Sequence, residues 1–207
     1  METTDLLTLD KIARNPALVT HRFILLKATG SEEIIFRPLL HNDDLMLAEF
    51  FESLSAETRL FATYPSYDLK CAQEFCYDIN QYDKLRMVAI SEDGKIIALF
   101  EFSLDLVDSD IERFHKYSIK LDAKSDVRFG PCIIDKYQNQ HLGTKLLQLM
   151  IDLAIRMGKK RMILWGGVLI NNQRGIRFYE KNHFRILPDK FIASDGYECY
   201  DGILQFS

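Results

Sequence analysis

The sequence predicts an α+β fold, an α/β sandwich in which helices flank a mixed, mostly antiparallel β-sheet. Two hairpins support this prediction, because apolar stretches within 21–40 and 85–104 each enclose a short polar turn, and strands joined by a hairpin run antiparallel. Helices follow from apolar residues that recur every three or four positions, most clearly from Leu142 to Leu153. A chain of 207 residues suits a single domain over 1–207 that can bury about 70% of its unfolded surface.

The composition excludes several classes of protein. With 26 Lys and Arg against 30 Asp and Glu, the net charge is -4, which lacks the basic excess of nucleic-acid-binding proteins. No basic region followed by an apolar core opens the chain, and no apolar run approaches the ~18 residues of a membrane span, so we expect neither nucleic acid nor membrane as a partner. The cysteines form no Cys-x-x-Cys pair and are expected to be reduced thiols of a cytoplasmic protein, neither metal ligands nor disulfides: Cys71, Cys76, Cys132 and Cys199.

The first 40 residues predict an N-terminal extension and a hairpin. Residues 1–19 are mixed in character and allow one turn of helix around Leu6 to Ala13. We predict two strands next, His21–Lys27 and Glu33–Leu40, joined by a turn at Thr29-Gly30-Ser31. Pro38 has no amide donor and favours an edge position for the second strand.

Three helices and a second hairpin are predicted between 42 and 104. Asn42-Asp43-Asp44 can cap the first helix, and Ser55 opens the second. Apolar residues at helical spacing predict the third helix over 68–81. In the predicted hairpin, apolar and polar residues alternate along two strands, Leu85–Ser91 and Lys95–Leu104, which are joined by a turn at Glu92-Asp93-Gly94.

The rest of the chain begins with a long polar connection over 105–126, which we expect to be either a solvated excursion or helix, or a lid over an acceptor. A strand over Val127–Ile134 follows, with Gly130-Pro131 suggesting a bulge or an edge. The helix after it should end at Gly158. The next element is an apolar strand over Arg161–Leu169, expected to be buried on both sides. A helix through Lys181 follows, capped by Asn171 or Asn172. The last two strands are Arg185–Leu187 and Tyr197–Phe206, with a turn at Ser194-Asp195-Gly196.

A polar turn between strand and helix is the first functional feature. Residues 138–141 cannot extend an apolar strand, and the helix starts directly after them. The first N–H groups of a helix have no internal partner, and its dipole is positive there, so the turn suits an anion such as a pyrophosphate. Most such turns only connect elements, so the feature alone leaves both interpretations open. The nucleoside-triphosphate motif Gly-x-x-x-x-Gly-Lys-Ser/Thr is not met at Gly143-Thr144-Lys145.

The same turn carries a motif. Tyr137, Gln138 and Gly143 stand in the pattern Tyr-Gln-x-x-x-x-Gly-x-x-Leu-Leu, which resembles the acetyl-CoA-binding motif Gln/Arg-x-x-Gly-x-Gly/Ala of the GNAT superfamily of N-acyltransferases. His141 stands where the family has its middle glycine. Histidine is among the residues enriched at positive φ, so we expect the turn to keep its shape. Whether the imidazole weakens or assists cofactor binding is open.

A second run, Asn172 to Phe184, resembles the superfamily pattern Asn-x-x-Ala-x-x-x-Tyr-x-x-x-Gly-Phe. Gly175 replaces the alanine, and His183 replaces the last glycine. The two motifs stand in the family's order and spacing. The run from Arg37 to Arg59 also resembles the N-terminal part of many GNAT domains, where helices cover the acceptor side.

The resemblance implies a GNAT-like core over 33–207 in which one strand pair splays apart around acetyl-CoA, with coenzyme A as the product. It places Phe51, Phe61 and Tyr64 near an acceptor wall, although core packing explains them as well. The strand end would contact the thioester carbonyl through Cys132, Ile133 and Ile134. Two residues of the second motif, Asn172 and Tyr179, would complete the cofactor contacts. The turn would hold the pyrophosphate, and its residues are Gln138, Asn139, Gln140, His141, Leu142, Gly143 and Thr144.

Four residues are candidates for the chemistry or for a further cofactor contact. Tyr179 matches the family tyrosine that protonates the departing thiolate, and the alternative is a packed helix tyrosine. Asn172 matches a cofactor contact, and a plain helix cap explains it nearly as well. The general base is either Asp126, at the start of the strand before the turn, or Glu101, opposite Phe100 and Phe102, and either could be a solvated charge.

The resemblance therefore predicts an N-acetyltransferase that transfers the acetyl group of acetyl-CoA to a primary amine by direct attack in a ternary complex. The acceptor is a small molecule, a peptide N-terminus or a protein lysine, and the chain is a monomer or a homodimer. The competing hypothesis is a catalytically weak GNAT-like module that binds coenzyme A or a protein partner. No metal ion is expected.

Overall fold

The structure, a computed structural model, describes residues 6–28, 30–62 and 64–206. Within these ranges the chain forms seven α-helices and nine strands of a mixed, mostly antiparallel sheet, which confirms the predicted fold class. The helices are α1 Leu9–Arg14, α2 Asp44–Ser53, α3 Ala56–Ala62, α4 Leu69–Phe75, α5 Asp108–His115, α6 Leu142–Arg156 and α7 Gln173–Lys181. The strands are β1 His21–Lys27, β2 Gly30–Pro38, β3 Lys84–Ile90, β4 Ile96–Ser103, β5 Asp126–Ile133, β6 Arg161–Leu164, β7 Val168–Leu169, β8 Arg185–Ile192 and β9 Glu198–Gln205.

The chain divides into two compact units. The first unit holds the described residues of Leu7–Glu101 and Pro131–Met150, and the second holds those of Met1–Leu6, Phe102–Gly130 and Ile151–Ser207. The single domain over 1–207 stays a prediction. None of the helices in the described ranges is long and apolar enough to cross a membrane.

The first unit contains both predicted hairpins. β1 and β2 pair antiparallel from Lys27↔Gly30 to His21↔Phe36. The hairpin turn is therefore shorter than predicted, because Gly30 already belongs to β2; Thr29 lies outside the described residues. The edge position expected from Pro38 is wrong, since β2 lies between β1 and β3. Pro38 nevertheless lies two residues beyond Phe36, the last residue of β2 that is paired with β1, and its partner in β3 is Met87.

The core of the first unit joins α2 and α4 to the strands. Phe50 and Phe51 of α2, Ala72 of α4 and Val88 of β3 are almost completely buried in one cluster. α4 ends at Phe75, six residues earlier than predicted. The next amide, that of Cys76, is shared between the carbonyls of Ala72 and Gln73, a tightening typical of helix ends.

The second unit carries the parallel strand pair. β5 pairs with β6 from Asp126↔Arg161 to Phe129↔Leu164, and β6, β7 and β8 all pair antiparallel with β9. β5 then continues through Gly130 and Pro131 to Ile133 without the interruption that the sequence suggested. Its last four residues lie beyond the final β6 pair, in agreement with the splayed strand pair of the predicted fold.

The predicted strand Arg161–Leu169 is divided in two. Gly166 and Gly167 adopt φ of 73° and 78°, a left-handed conformation that ends β6 at Leu164 and lets β7 start at Val168. A Cβ on Gly167 would lie 2.7 Å from the Tyr200 carbonyl oxygen, so this turn requires glycine there.

The connection over 105–126 contains α5, which is anchored within the second unit. Phe114 is fully buried, and the Arg113 guanidinium lies 2.6 Å from the Asp110 carboxylate and 2.8 Å from that of Asp201. Arg128 approaches Asp110 to 2.9 Å. These buried ion pairs hold α5 in place, so this part of the connection is a packed helix.

Candidate functional site

The polar turn has the backbone shape that a glycine-rich turn would take. After β5, residues 135–137 form one short 3-10 turn, and Asn139 and His141 adopt φ of 58° and 61°. His141 thus takes the left-handed conformation available to the family's glycine, as predicted. The turn is fixed to the first unit at its start, where the Ile134 N–H donates to the Ile97 carbonyl at 3.0 Å.

The turn ends at the open N-terminus of α6. The first backbone bond of the helix runs from the Lys145 N–H to the His141 carbonyl at 3.1 Å, so the N–H groups of Leu142, Gly143 and Thr144 precede it. Leu142 and Leu146 are fully buried and anchor this end of a 15-residue helix. The arrangement gives an anion several fixed donors together with the positive end of the helix dipole.

Gln140 adds an acceptor to the turn. Its Nε2 donates to the Lys136 carbonyl at 2.6 Å, while its Oε1 is buried and has no hydrogen-bond partner among the described residues. A buried acceptor without a donor is costly unless something else supplies one. The turn therefore fits a ligand that carries both anionic oxygens and hydrogen-bond donors, as coenzyme A does.

Gln138 faces the protein. Its Nε2 donates to the Ile133 carbonyl at 2.8 Å and to Thr58 Oγ1 at 3.3 Å. The side chain predicted to begin the cofactor motif thus shapes the turn from behind, while the backbone that follows presents the donors.

At the end of β5, the amide of one of the three residues predicted to contact the thioester carbonyl, Ile134, is already used by the protein. The Ile134 amide donates to Ile97, and the Ile133 carbonyl accepts from Gln138. Cys132 is buried, burial raises the pKa of its thiol to about 12, and its side chain is hydrogen-bonded to that of Tyr64. The thiol is therefore protonated and unreactive at neutral pH.

In the second unit, Asn172 caps α7. Its Oδ1 accepts from the Gly175 N–H at 2.8 Å, which confirms the helix-cap interpretation without testing a cofactor contact. A Cβ on Gly175 would lie 2.6 Å from Asn172 Nδ2. The glycine found in place of the family's alanine therefore leaves room for this cap.

Tyr179 lies at the other end of α7, in a helix-terminating motif. His183 adopts φ of 68° and its N–H donates to Glu180, while the Phe184 N–H donates to the Tyr179 carbonyl, both at 3.0 Å. This is a Schellman motif with histidine in the position usually taken by glycine. The rings of Tyr179 and Phe184 meet edge to face at 5.2 Å, and Tyr179 is only 8% exposed.

The two candidate bases have different surroundings. Asp126 is completely buried; Arg161 approaches its two oxygens to 2.5 and 2.6 Å, and the Asp122 N–H donates to it at 2.6 Å. Its hydrogen-bonding capacity is largely filled by the protein. Glu101 is also buried and binds Arg86 Nε at 2.9 Å. Burial raises the pKa of Glu101, and Arg86 only partly offsets this.

Comparison with known proteins decides the family. The acetyltransferase (GNAT) family model matches residues 47–184, more than half of the chain. The chain belongs to the GNAT family. This membership accounts for both motifs, since each lies within the matched residues. No curated protein matches the chain by sequence.

Solved structures show the same fold at low sequence identity. The GNAT domain of the S. lividans PAT protein has a TM-score of 0.70 at 18% identity, covering 92% of this GNAT chain and 99% of that one. The ribosomal-protein-S5-alanine acetyltransferase from Vibrio fischeri gives 0.67 at 10%, covering 90% and 96%. The aminoglycoside acetyltransferase AAC(6')-Ib, in complex with coenzyme A, gives 0.64 at 19%, covering 83% and 94%.

Sequence reasoning missed several residues of this GNAT site. Ser55 and Thr58 bind Asp135, and Arg86 binds Glu101. Arg86 could have been found, since a charged residue within an apolar strand beside another such strand suggests a buried pair. The Asp135 contacts span 77 and 80 residues and have no local signal. Within the described ranges, no cluster of His, Cys, Asp and Glu could hold a metal ion.

Proposed function

We propose that this GNAT protein transfers the acetyl group of acetyl-CoA to a primary amine by direct attack in a ternary complex. The observation that carries the proposal is the turn over 138–144, where left-handed backbone at Asn139 and His141 leads into the open N-terminus of α6. Family membership supplies the cofactor class, and the turn supplies donors suited to its pyrophosphate.

Acetyl-CoA would bring the activated acetyl group, and the chain would bind and orient it. The amides of Leu142, Gly143 and Thr144 are the proposed pyrophosphate donors, with Gln140 Oε1 as an acceptor. Because the backbone makes these contacts, the shape of the turn matters more than its side chains. On the strength of the second motif, the proposal keeps Asn172 and Tyr179 as further cofactor contacts.

The proposed proton transfers use Glu101 and Tyr179. An acceptor amine must lose a proton to attack, and a carboxylate whose pKa is raised toward neutrality is a more effective base than an ordinary one. Burial gives Glu101 this property, and Arg86 binds only one of its oxygens, whereas Arg161 binds both oxygens of Asp126. Tyr179 is proposed to protonate the thiolate of coenzyme A, as the family motif implies.

The acceptor class is a small-molecule or peptide amine. AAC(6')-Ib is described in complex with coenzyme A and kanamycin, and the Vibrio fischeri protein acts on an alanine of ribosomal protein S5. Both kinds of amine belong in an acceptor panel for this chain. We also propose, from the sequence alone, a cytoplasmic monomer or homodimer.

Thiol release separates the enzyme from the catalytically weak module. The purified chain is mixed with acetyl-CoA and, in turn, an aminoglycoside, a peptide with N-terminal alanine and a lysine peptide, and free coenzyme A is measured. The proposal expects amine-dependent release with at least one acceptor class. Cofactor binding without release above the amine-free rate would favour the module.

A further inference from the structure

The cofactor turn is tied to a helix far away in the sequence. The Asp135 carboxylate accepts from the Ser55 N–H at 3.2 Å, from Ser55 Oγ at 2.9 Å and from Thr58 Oγ1 at 3.0 Å. These donors all lie at the start of α3, where the Thr58 N–H also donates to Ser55 Oγ at 3.1 Å. Ser55 therefore caps α3, and Asp135 binds this cap from outside the helix.

Thr58 extends this contact to the motif glutamine. Its hydroxyl has one proton and can also accept, and its neighbours are Asp135 at 3.0 Å and Gln138 Nε2 at 3.3 Å. Burial raises the pKa of Asp135, but the hydrogen bonds from Ser55 and Thr58 outweigh it and hold that pKa below its usual value. The carboxylate is thus ionised and can only accept, so the Thr58 proton points toward Asp135 and its lone pair faces Gln138.

The chain of contacts fixes the orientation of the Gln138 amide. One N–H of Nε2 goes to Thr58 and the other to the Ile133 carbonyl at 2.8 Å. Both acceptors require the nitrogen, so the flipped amide would place an oxygen against them. Thr58 is 5% exposed, which shields this contact from competing water.

A restraint of this kind is what the turn needs. Left-handed backbone is disfavoured for residues other than glycine, though less so for Asn and His, and Asn139 and His141 both adopt it within three residues. Such strain persists only where the surroundings hold the backbone in place. α6 holds the turn on its C-terminal side, and the contacts of Asp135, Thr58 and Gln138 hold it on the other.

We propose that Asp135 is a positioning residue that acts through Thr58 and Gln138 to keep the cofactor turn in its binding shape. The inference rests on the proposed function for its consequence, since a turn held in place matters for acetyl-CoA affinity. It goes beyond that function because it assigns a role to two residues, Asp135 and Thr58, that lie outside the family motif.

The test compares two substitutions at one position. Thr58→Val removes the hydroxyl and keeps the branched shape, whereas Thr58→Ser keeps the hydroxyl. Calorimetry should show acetyl-CoA affinity reduced tenfold or more in Thr58→Val and within threefold of the parent in Thr58→Ser. Thr20→Val is a matched control, because the Thr20 hydroxyl donates only to the Pro16 carbonyl elsewhere in the first unit, and its affinity should not change.

A second measurement needs no cofactor. Hydrogen exchange is measured in the ligand-free protein at the hydrogen-bonded amides that flank the turn, those of Tyr137, Gln138 and Lys145. It should become at least tenfold faster in Thr58→Val, and stay at the parent rate in Thr58→Ser and Thr20→Val. Asp135→Asn, which keeps the size of the side chain, should behave like Thr58→Val and serves if that variant does not fold. The exchange rates of the double variant, Thr58→Val with Asp135→Asn, should exceed those of either single variant by less than twofold, since both substitutions break one chain of contacts.

The outcomes are distinct. Unchanged exchange at Tyr137, Gln138 and Lys145 in both Thr58→Val and Asp135→Asn would overturn the positioning role, whatever the melting temperatures. Equal losses in Thr58→Ser and Thr58→Val would also overturn it, because the hydroxyl would then be irrelevant. Absence of acetyl-CoA binding by the parent chain would refute the proposed function, while the exchange rates would still decide the role of Asp135.

Discussion

His141 and His183 occupy the glycine positions of the two GNAT motifs, and both adopt a left-handed backbone, with φ of 61° and 68°. The physical reason differs between them. His141 shapes the turn before α6, whereas His183 terminates α7 and directs Phe184 into the core, where that ring lies 6.3 Å from Phe129. A glycine position in a family motif can thus hold a histidine when its neighbours fix the backbone.

His183→Gly should stabilise the protein by up to about 1 kcal/mol. Glycine removes a left-handed strain of about 1–2 kcal/mol. It also raises the entropy of the unfolded chain, which costs about 0.5–1 kcal/mol of stability, so the net gain is small but positive. Urea unfolding measures it. His183→Ala keeps the Cβ and should show no gain, and an equal gain in both variants would mean that the imidazole, not the backbone, causes the strain.

Tyr179→Phe should reduce turnover by about 10²–10⁴ if the hydroxyl protonates the thiolate. The ring packing against Phe178 and Phe184 is kept, so acetyl-CoA affinity and melting temperature should change little. All three quantities are measured together with whichever amine the panel identifies. Turnover within about threefold of the parent would make Tyr179 a packing residue of the α7 terminus.

The pH dependence of turnover should report Glu101. A general base acts as the carboxylate, and burial raises its pKa, so activity should rise as the pH rises through that pKa and be lost below it. In Glu101→Gln this acid limb should disappear and the rate should fall by about 10²–10⁴. An unchanged acid limb in Glu101→Gln would assign the titration to another group. Asp126→Asn, the control, should lower the melting temperature and leave the limb in place.

At the scale of the elements, α5 is attached by charge. Arg113 is 16% exposed at its side chain and bridges two carboxylates, those of Asp110 and Asp201, that are 2% and 3% exposed. It also lies over the Phe191 ring at 3.9 Å. Charges this deeply buried are tolerated only as pairs, so α5 depends on all members of the group.

Arg113→Met should therefore lower the free energy of unfolding by about 3–5 kcal/mol, because it leaves Asp201 buried without its partner. The control is Lys190→Met, which breaks an exposed pair with Glu198 at 3.7 Å and should cost at most about 1 kcal/mol. Denaturant unfolding of both variants gives the difference. Similar losses in the two would show that water screens the α5 pairs as well.

The elements that the sequence predicted are those with local signals. Both hairpins have polar turns, and Asn172 caps α7. α6 ends at Arg156, two residues before Gly158, which adopts the left-handed conformation expected after a helix. The division of β6 from β7 was missed because the apolar run is continuous through two glycines. The contacts of Asp135 with Ser55 and the pairing of Arg161 with Asp126 were missed because they join distant segments, which no periodicity reveals.

At the scale of the whole molecule, the acetyl-CoA turn belongs to the first unit and the Tyr179 motif to the second, and the family model spans both. The candidate site could be predicted from the sequence as far as the backbone of the turn, because motif and helix start coincide. The contacts behind the turn could not, since Thr58 and Gln138 are 80 residues apart. The central claim is that the turn binds acetyl-CoA through its backbone.

Calorimetry with acetyl-CoA on the parent chain and three turn variants tests that claim most directly. Gly143→Val should weaken binding strongly because its side chain would stand among the N–H groups proposed to hold the pyrophosphate. Lys145→Ala should have a modest effect because this side chain is exposed, and His141→Gly should keep or improve affinity. A loss of more than about tenfold, some 1.4 kcal/mol, in His141→Gly would show that the imidazole contacts the phosphates. The account predicts saturable binding by the parent and a strong loss of affinity in Gly143→Val. No detectable binding by the parent at about 1 mM cofactor, which corresponds to a binding free energy weaker than about 4 kcal/mol, would contradict it.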